Sequence, residues 1–167
     1  MDAFDIKNST QFVDELEREH IREEIFVQSI STLFQEGANQ QAIFRHMSPF
    51  VDRLLDHMAK EEILAERVKD SGIKNLIASH RALTDLLYEA LGVIEVGVNP
   101  KQARSLWDKF CDEFHKHMLE SDGPLYKLLR ESDVPMDNQS IIDRHSINSN
   151  ATIIMTSPKR RGTDTTV

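Results

Sequence analysis

Apolar residues recur along most of this chain at three-, four- and seven-residue steps, the pattern of helices that each bury one stripe. In the first stretch Val13, Leu16, Val27 and Phe34 keep that register with His20 among them. Asn8 followed by Gln11 resembles a capping box, so a helix is predicted from Asn8 or Ser9 to about Gln35, where EGANQ breaks it. A second helix is predicted between Gln40 and Lys69, with Leu54, His57, Met58, Glu61, Ala65 and Val68 facing inward. Pro49 is either the first residue of a fresh helix capped by Ser48 or a kink in a longer one. Ser71-Gly72 ends it, and the third helix is predicted from Ile73 to Val96 with Leu76, His80, Leu83, Leu87 and Leu91 on one stripe. Gly97-Val98-Asn99-Pro100 is a stop and restart, with Asn99 as the cap and Pro100 opening the fourth helix. Its inward set is Ala103, Leu106, Trp107, Phe110, Phe114, His117 and Met118. Asp122 falls just before Gly123-Pro124, where the helix is expected to end and leave the chain free to bend that carboxylate inward. Leu125 to Arg130 reads as a short amphipathic piece packing back on the others.

The fold class expected from this pattern is all-α, a four-helix bundle over residues 1–133 with a short C-terminal helix. Residues 134–167 change to Asn, Ser, Thr, Asp and Arg and read as a disordered polar and basic tail. The ending Thr165-Thr166-Val167 offers a possible ligand for a carboxylate-capturing protein partner.

Composition narrows the function classes. With 167 residues, 40% hydrophobic and 29% charged, the chain suits one soluble globular domain. A net charge of −8 argues against nucleic acid or an anionic membrane as the main partner. The single cysteine, Cys111, rules out an internal disulfide and a Cys-rich zinc site, and reads as a packing residue. No apolar leader opens the sequence and no run reaches the ~18 apolar residues of a membrane span, so a cytoplasmic location is expected.

The chemistry lies on the core stripes. His20, His57 with Glu61 one turn later, His80, and His117 with Asp122 fall one group to each helix. Because a helix aims only one stripe at a bundle core, a metal site of four to six ligands has to be assembled from several helices in this way. A lone histidine on such a stripe is usually a satisfied core residue; four in four helices, with a carboxylate that would otherwise be a buried anion, point to a cation. The alternative is a buried network of imidazolium and carboxylate groups. Imidazole and carboxylate donors without thiolate suit iron, zinc or manganese. His46, His115 and His145 are expected to be exposed.

The pieces EREH ending at His20, HMAKEE from His57 to Glu62, ASH ending at His80 and HMLESD from His117 to Asp122 resemble the hemerythrin-like family. The resemblance covers about residues 10–130. It implies an up-down-up-down antiparallel bundle holding a non-haem di-iron centre, with Glu61 and Asp122 bridging, His20 and His57 on one iron, and His80 and His117 on the other. It also implies dioxygen or a related diatomic as ligand, entering past Leu76, Leu83, Phe110, Phe114 and Met118. One position departs: members that carry oxygen have a further histidine on the third helix where this chain has Leu76. Glu24 and Glu62 are the nearby acids able to replace it. The loss disfavours reversible oxygen carriage and favours sensing, storage, iron handling or redox work, with a weak peroxidase-like or iron-repair activity as a lesser expectation. The competing class is a metal-depleted interaction module acting through its C-terminal tail.

Overall fold

The computed structural model describes residues 9–97 and 99–132. The capping role expected of Asn8, the tail at 134–167 and His145 lie outside the described residues. Four long helices, α1 (Ser9–Gln35), α2 (Gln40–Arg67), α3 (Ile73–Val96) and α4 (Pro100–His117), are followed by a π-helical turn over Met118–Asp122 and a short α5 (Gly123–Ser132). There is no strand among the described residues. Connections of a few residues fold each helix back along its predecessor; α1 packs on α2, α2 on α3, α3 on α4, and α1 with α4 closes an up-down-up-down bundle. No helix among the described residues is long and apolar enough to cross a membrane.

The helix ends follow from local chemistry. Asn39 Oδ1 accepts the Ala42 amide at 2.9 Å and opens α2, and Asn99 Oδ1 accepts the Gln102 amide at 3.1 Å ahead of Pro100 in the first turn of α4. α3 stops where Gly97 takes φ 76°, a left-handed conformation that costs glycine little. Pro49 sits inside a continuous α2, so the longer-helix alternative holds. Near its C-terminus α3 buries Ala90 and Ile94 while Leu91 is only half-buried, because a true helix drifts away from a strict seven-residue stripe.

The core is divided. One apolar cluster, built on Val27, Ile30, Met47, Phe50, Leu54, Leu83, Leu87, Trp107, Phe110 and Phe114, fills one end of the bundle. A second, built on Phe12, Val13, Leu16, Ile63, Leu64, Leu76, Leu125, Tyr126 and Leu129, fills the other. On every long helix the candidate site residues lie at the join: His20 between Leu16 and Val27, His57 and Glu61 between Leu54 and Leu64, His80 between Leu76 and Leu83, His117 after Phe114. A polar layer therefore crosses the bundle between two apolar plugs. α5 caps the second plug, tied to α1 by Arg130, whose Nη2 lies 2.9 Å from Glu17 Oε2.

Candidate metal centre

All six residues expected at the site are buried and come together in that layer. His20, His57 and Glu61 form one group, and Glu61, His80, His117 and Asp122 form another, each offering ligand atoms within 4.8 Å of one another. Glu61 belongs to both. Its Oε1 lies 3.2 Å from His57 Nε2 and 3.9 Å from His20 Nε2, while its Oε2 lies 3.2 Å from His80 Nε2. Asp122 spans the same gap from the opposite helix, with Oδ2 3.2 Å from His20 Nε2 and Oδ1 2.9 Å from His117 Nε2. Each carboxylate thus presents one oxygen to each histidine pair.

The local structure around Asp122 differs from the expectation that the helix ends and the chain bends. Five α-helical steps would leave the carboxylate about 140° round the axis from His117. Instead the Gly123 amide bonds the Met118 carbonyl, five residues back, and this single wide turn restores Asp122 to the inner face without ending the helix. Pro124, which has no amide hydrogen, sits just beyond the wide turn at the start of α5.

The outer ring nitrogens are held from outside the layer. His57 Nδ1 meets Glu19 Oε2 at 3.0 Å, and Glu19 is in turn paired with Lys60 at 2.7 Å. His80 Nδ1 meets Glu62 Oε1 at 2.8 Å, and His117 Nδ1 meets Ser79 Oγ at 2.9 Å. These bonds turn each Nε2 toward the centre, the orientation that metal-binding imidazoles need. Glu62 is therefore placed as an orienting partner of His80. Glu24 is half-exposed, and the buried acid on that turn of α1 is Glu23, whose Oε1 lies 3.7 Å from His57 Nδ1 beside a cleft of ≈ 80 Å³.

Electrostatics follow the burial. Glu61 is fully buried, which by itself favours its neutral acid, yet His57 and His80 hold its carboxyl well below the usual range. Burial likewise opposes charge on His80, but Glu61 and Glu62 overcome it and lift the imidazole to about 9. Burial pushes Glu23 up to about 7. The inner atoms are nevertheless badly matched to one another. His20 Nε2 and His57 Nε2 approach to 2.9 Å, a spacing at which both cannot carry a proton. Glu61 Oε2, His80 Nε2 and both Asp122 oxygens make no aligned hydrogen bond among the described residues, despite nitrogen–oxygen separations near 3 Å. Buried nitrogen and oxygen atoms that converge without aligned hydrogen bonds are what a cation satisfies, so the donor set fits a metal ion.

Sequence reasoning missed Glu19, Ser79, Glu23 and Tyr126. The first two are half-buried positions beside a core histidine, with no periodic signal of their own. Tyr126 had one: it shares the buried face of α5 with Leu125 and Leu129, and a buried phenol needs a polar partner. Its hydroxyl donates to Glu61 Oε1 at 2.7 Å and lies 3.3 Å from both His20 Nε2 and His57 Nε2. Cys111 packs against the aromatic cluster, 3.9 Å from Ser31 Oγ, and burial pushes its thiol up to about 11. His46 and His115 are exposed, as expected. Comparisons with protein-family models, with curated proteins and with solved structures each found no match.

Proposed function

We propose that this chain is a hemerythrin-like di-iron protein that binds dioxygen or a related diatomic ligand and serves oxygen or redox sensing, storage or iron handling. The observation that carries the reading is the pair of buried carboxylates, Glu61 and Asp122, each extending one oxygen toward His20 or His57 and the other toward His80 or His117. Two ions held at those histidine pairs would draw on that disposition, whereas a hydrogen-bonded network would leave Glu61 Oε2, His80 Nε2 and both Asp122 oxygens without aligned bonds. Iron held there would supply exchangeable electrons to a diatomic ligand.

The residues of the chain do the rest. Glu19, Glu62 and Ser79 fix the imidazole orientations, so that the site is organised before any ion arrives. Leu83, Phe110 and Phe114 on one side and Leu76, Leu16 and Leu64 on the other keep bulk water out of the layer. Glu23, next to His57 and beside the cleft, is positioned to hold a proton at the edge of the site. The test is iron content with an optical spectrum of the chain, reduced anaerobically and then exposed to air. About two irons per chain and new absorption bands on oxygenation are expected; no bound iron and no change in melting temperature with added metal would favour the interaction module instead.

A further inference from the structure

The residues that support the site from outside all meet an outer ring nitrogen: Glu19 at His57 Nδ1, Glu62 at His80 Nδ1, Ser79 at His117 Nδ1. Tyr126 does not. Its hydroxyl faces the inner atoms, 2.7 Å from Glu61 Oε1 and 3.3 Å from the Nε2 of His20 and of His57, and its ring stacks on His20 with centroids 5.4 Å apart. One phenol hydrogen can serve Glu61 alone, so the oxygen lone pairs confront two ring nitrogens in a buried space. We propose that Tyr126 is itself a metal ligand, completing the His20–His57 position, and that the open coordination position falls on the His80–His117 side, one helical turn from Leu76. This rests on the metal-site reading above.

Donor counting supports the asymmetry. The His20–His57 position is offered two imidazoles, one oxygen from each of two carboxylates, and the phenol; the His80–His117 position is offered two imidazoles and the other two carboxylate oxygens. On α3 the residue one turn before His80 is Leu76, which is buried and has no donor atom. The more open position is therefore bordered by a hydrocarbon side chain. Coordination exchanges the phenol O–H bond for an O–metal bond, with the proton released to water and no change in oxidation state.

The test uses the full chain, loaded with ferrous ion without oxygen and then oxidised in air. Wild type should show a visible phenolate-to-ferric charge-transfer band whose resonance Raman spectrum contains coordinated-phenolate ring modes. Tyr126→Phe should still bind iron and lose both signals. The chain has two tyrosines, and Tyr88→Phe, at the exposed one, should keep them. Azide added to the oxidised wild type should bind with the phenolate band retained, since it enters at the other position. Iron-loaded wild type without phenolate modes, or Tyr126→Phe that keeps them, overturns the ligand assignment and leaves the metal site standing. Azide that displaces the phenolate overturns the placement of the open position. A chain that takes up no iron overturns both readings together.

Discussion

The aromatic end of the bundle and the polar layer beside it are held by opposite physics. At the aromatic end Phe50, Trp107, Phe110 and Phe114 are essentially fully buried, and Trp107 stacks on Phe110 with centroids 5.1 Å apart. Their stability comes from removing apolar area from water, which needs no counter-charge and no particular pH. In the polar layer Glu61 and Asp122 are just as buried, at 0% and 1% exposure, and each carries a desolvation cost that makes it depend on the histidines beside it. One region holds the bundle together. The other could hold a metal ion.

The largest expected effect breaks the first region. Trp107→Ala removes the biggest fully buried side chain and the 2.9 Å bond from its indole nitrogen to Ser31 Oγ. It should destabilise the chain by about 3–5 kcal/mol in urea melts. The loss should be equal with and without metal, since the aromatic cluster and the donor set share no side chain. A cost that differed strongly between the two states would show that the plug and the layer are coupled.

The next effect sharpens the boundary between them. Leu76→His places an imidazole at a buried position of the second apolar cluster, one turn before His80. Without metal the variant should lose about 1–3 kcal/mol, the usual cost of burying a poorly paired polar group. With iron it should recover that loss and bind azide more weakly than wild type, because the new ring competes for the open position. Melting of both forms and azide titration read the two halves of the expectation.

Much of this division is legible in the sequence, and the reason is periodicity. The aromatic end obeys it, and the polar layer stands out as the one place where each stripe is interrupted by a histidine or an acid; that is how His20, His57, Glu61, His80 and His117 are found. Asp122 is found by its type but not by its geometry, because no residue pattern distinguishes a wide π-turn from a helix end when Gly123-Pro124 follows. Tyr126 escapes for a different reason. Its burial is signalled by the apolar face of α5, but its place in the site depends on how α5 folds back over α1, a tertiary contact that periodicity does not give. Glu23 against Glu24 is a one-residue choice on a helix, and only the packed structure decides which acid is inside.

pH should drive the layer's two properties in opposite directions. His80 titrates near 6.5 when free and at about 9 in the folded chain, so its imidazolium stabilises the metal-free fold fully below 6.5 and that contribution is lost as pH rises through 9. Glu23, raised from 4.5 to about 7, acts in the same sense: its preference for the fold is complete below 4.5 and gone above about 7. Metal affinity runs the other way. Below about 9 an ion must displace the His80 proton, so the apparent affinity should climb by about tenfold per pH unit for that one proton. Urea melts of metal-free protein and chelator competition across this range would measure both slopes, and an affinity flat with pH would remove His80 from the donor set.

The smallest expected change in stability is the most telling. Glu61→Gln keeps the shape of the side chain and an oxygen for the Tyr126 hydroxyl, but removes the buried charge. At a pH above the ordinary histidine range, His57 and His80 can lose their protons once that charge is gone, so no uncompensated ion is left behind. The desolvation cost of the carboxylate disappears at the same time. The metal-free variant should therefore lie within about 1 kcal/mol of wild type, on either side. Metal binding should collapse at both positions, because Glu61 offers one oxygen to His20 and His57 and the other to His80. If Glu61 were instead the hub of a structural imidazolium network, the same substitution would remove its anchor and cost as much as a broken buried ion pair, about 3–5 kcal/mol. Chemical denaturation of one isosteric variant, with no metal present, thus decides whether the polar layer exists to hold the bundle or to hold an ion.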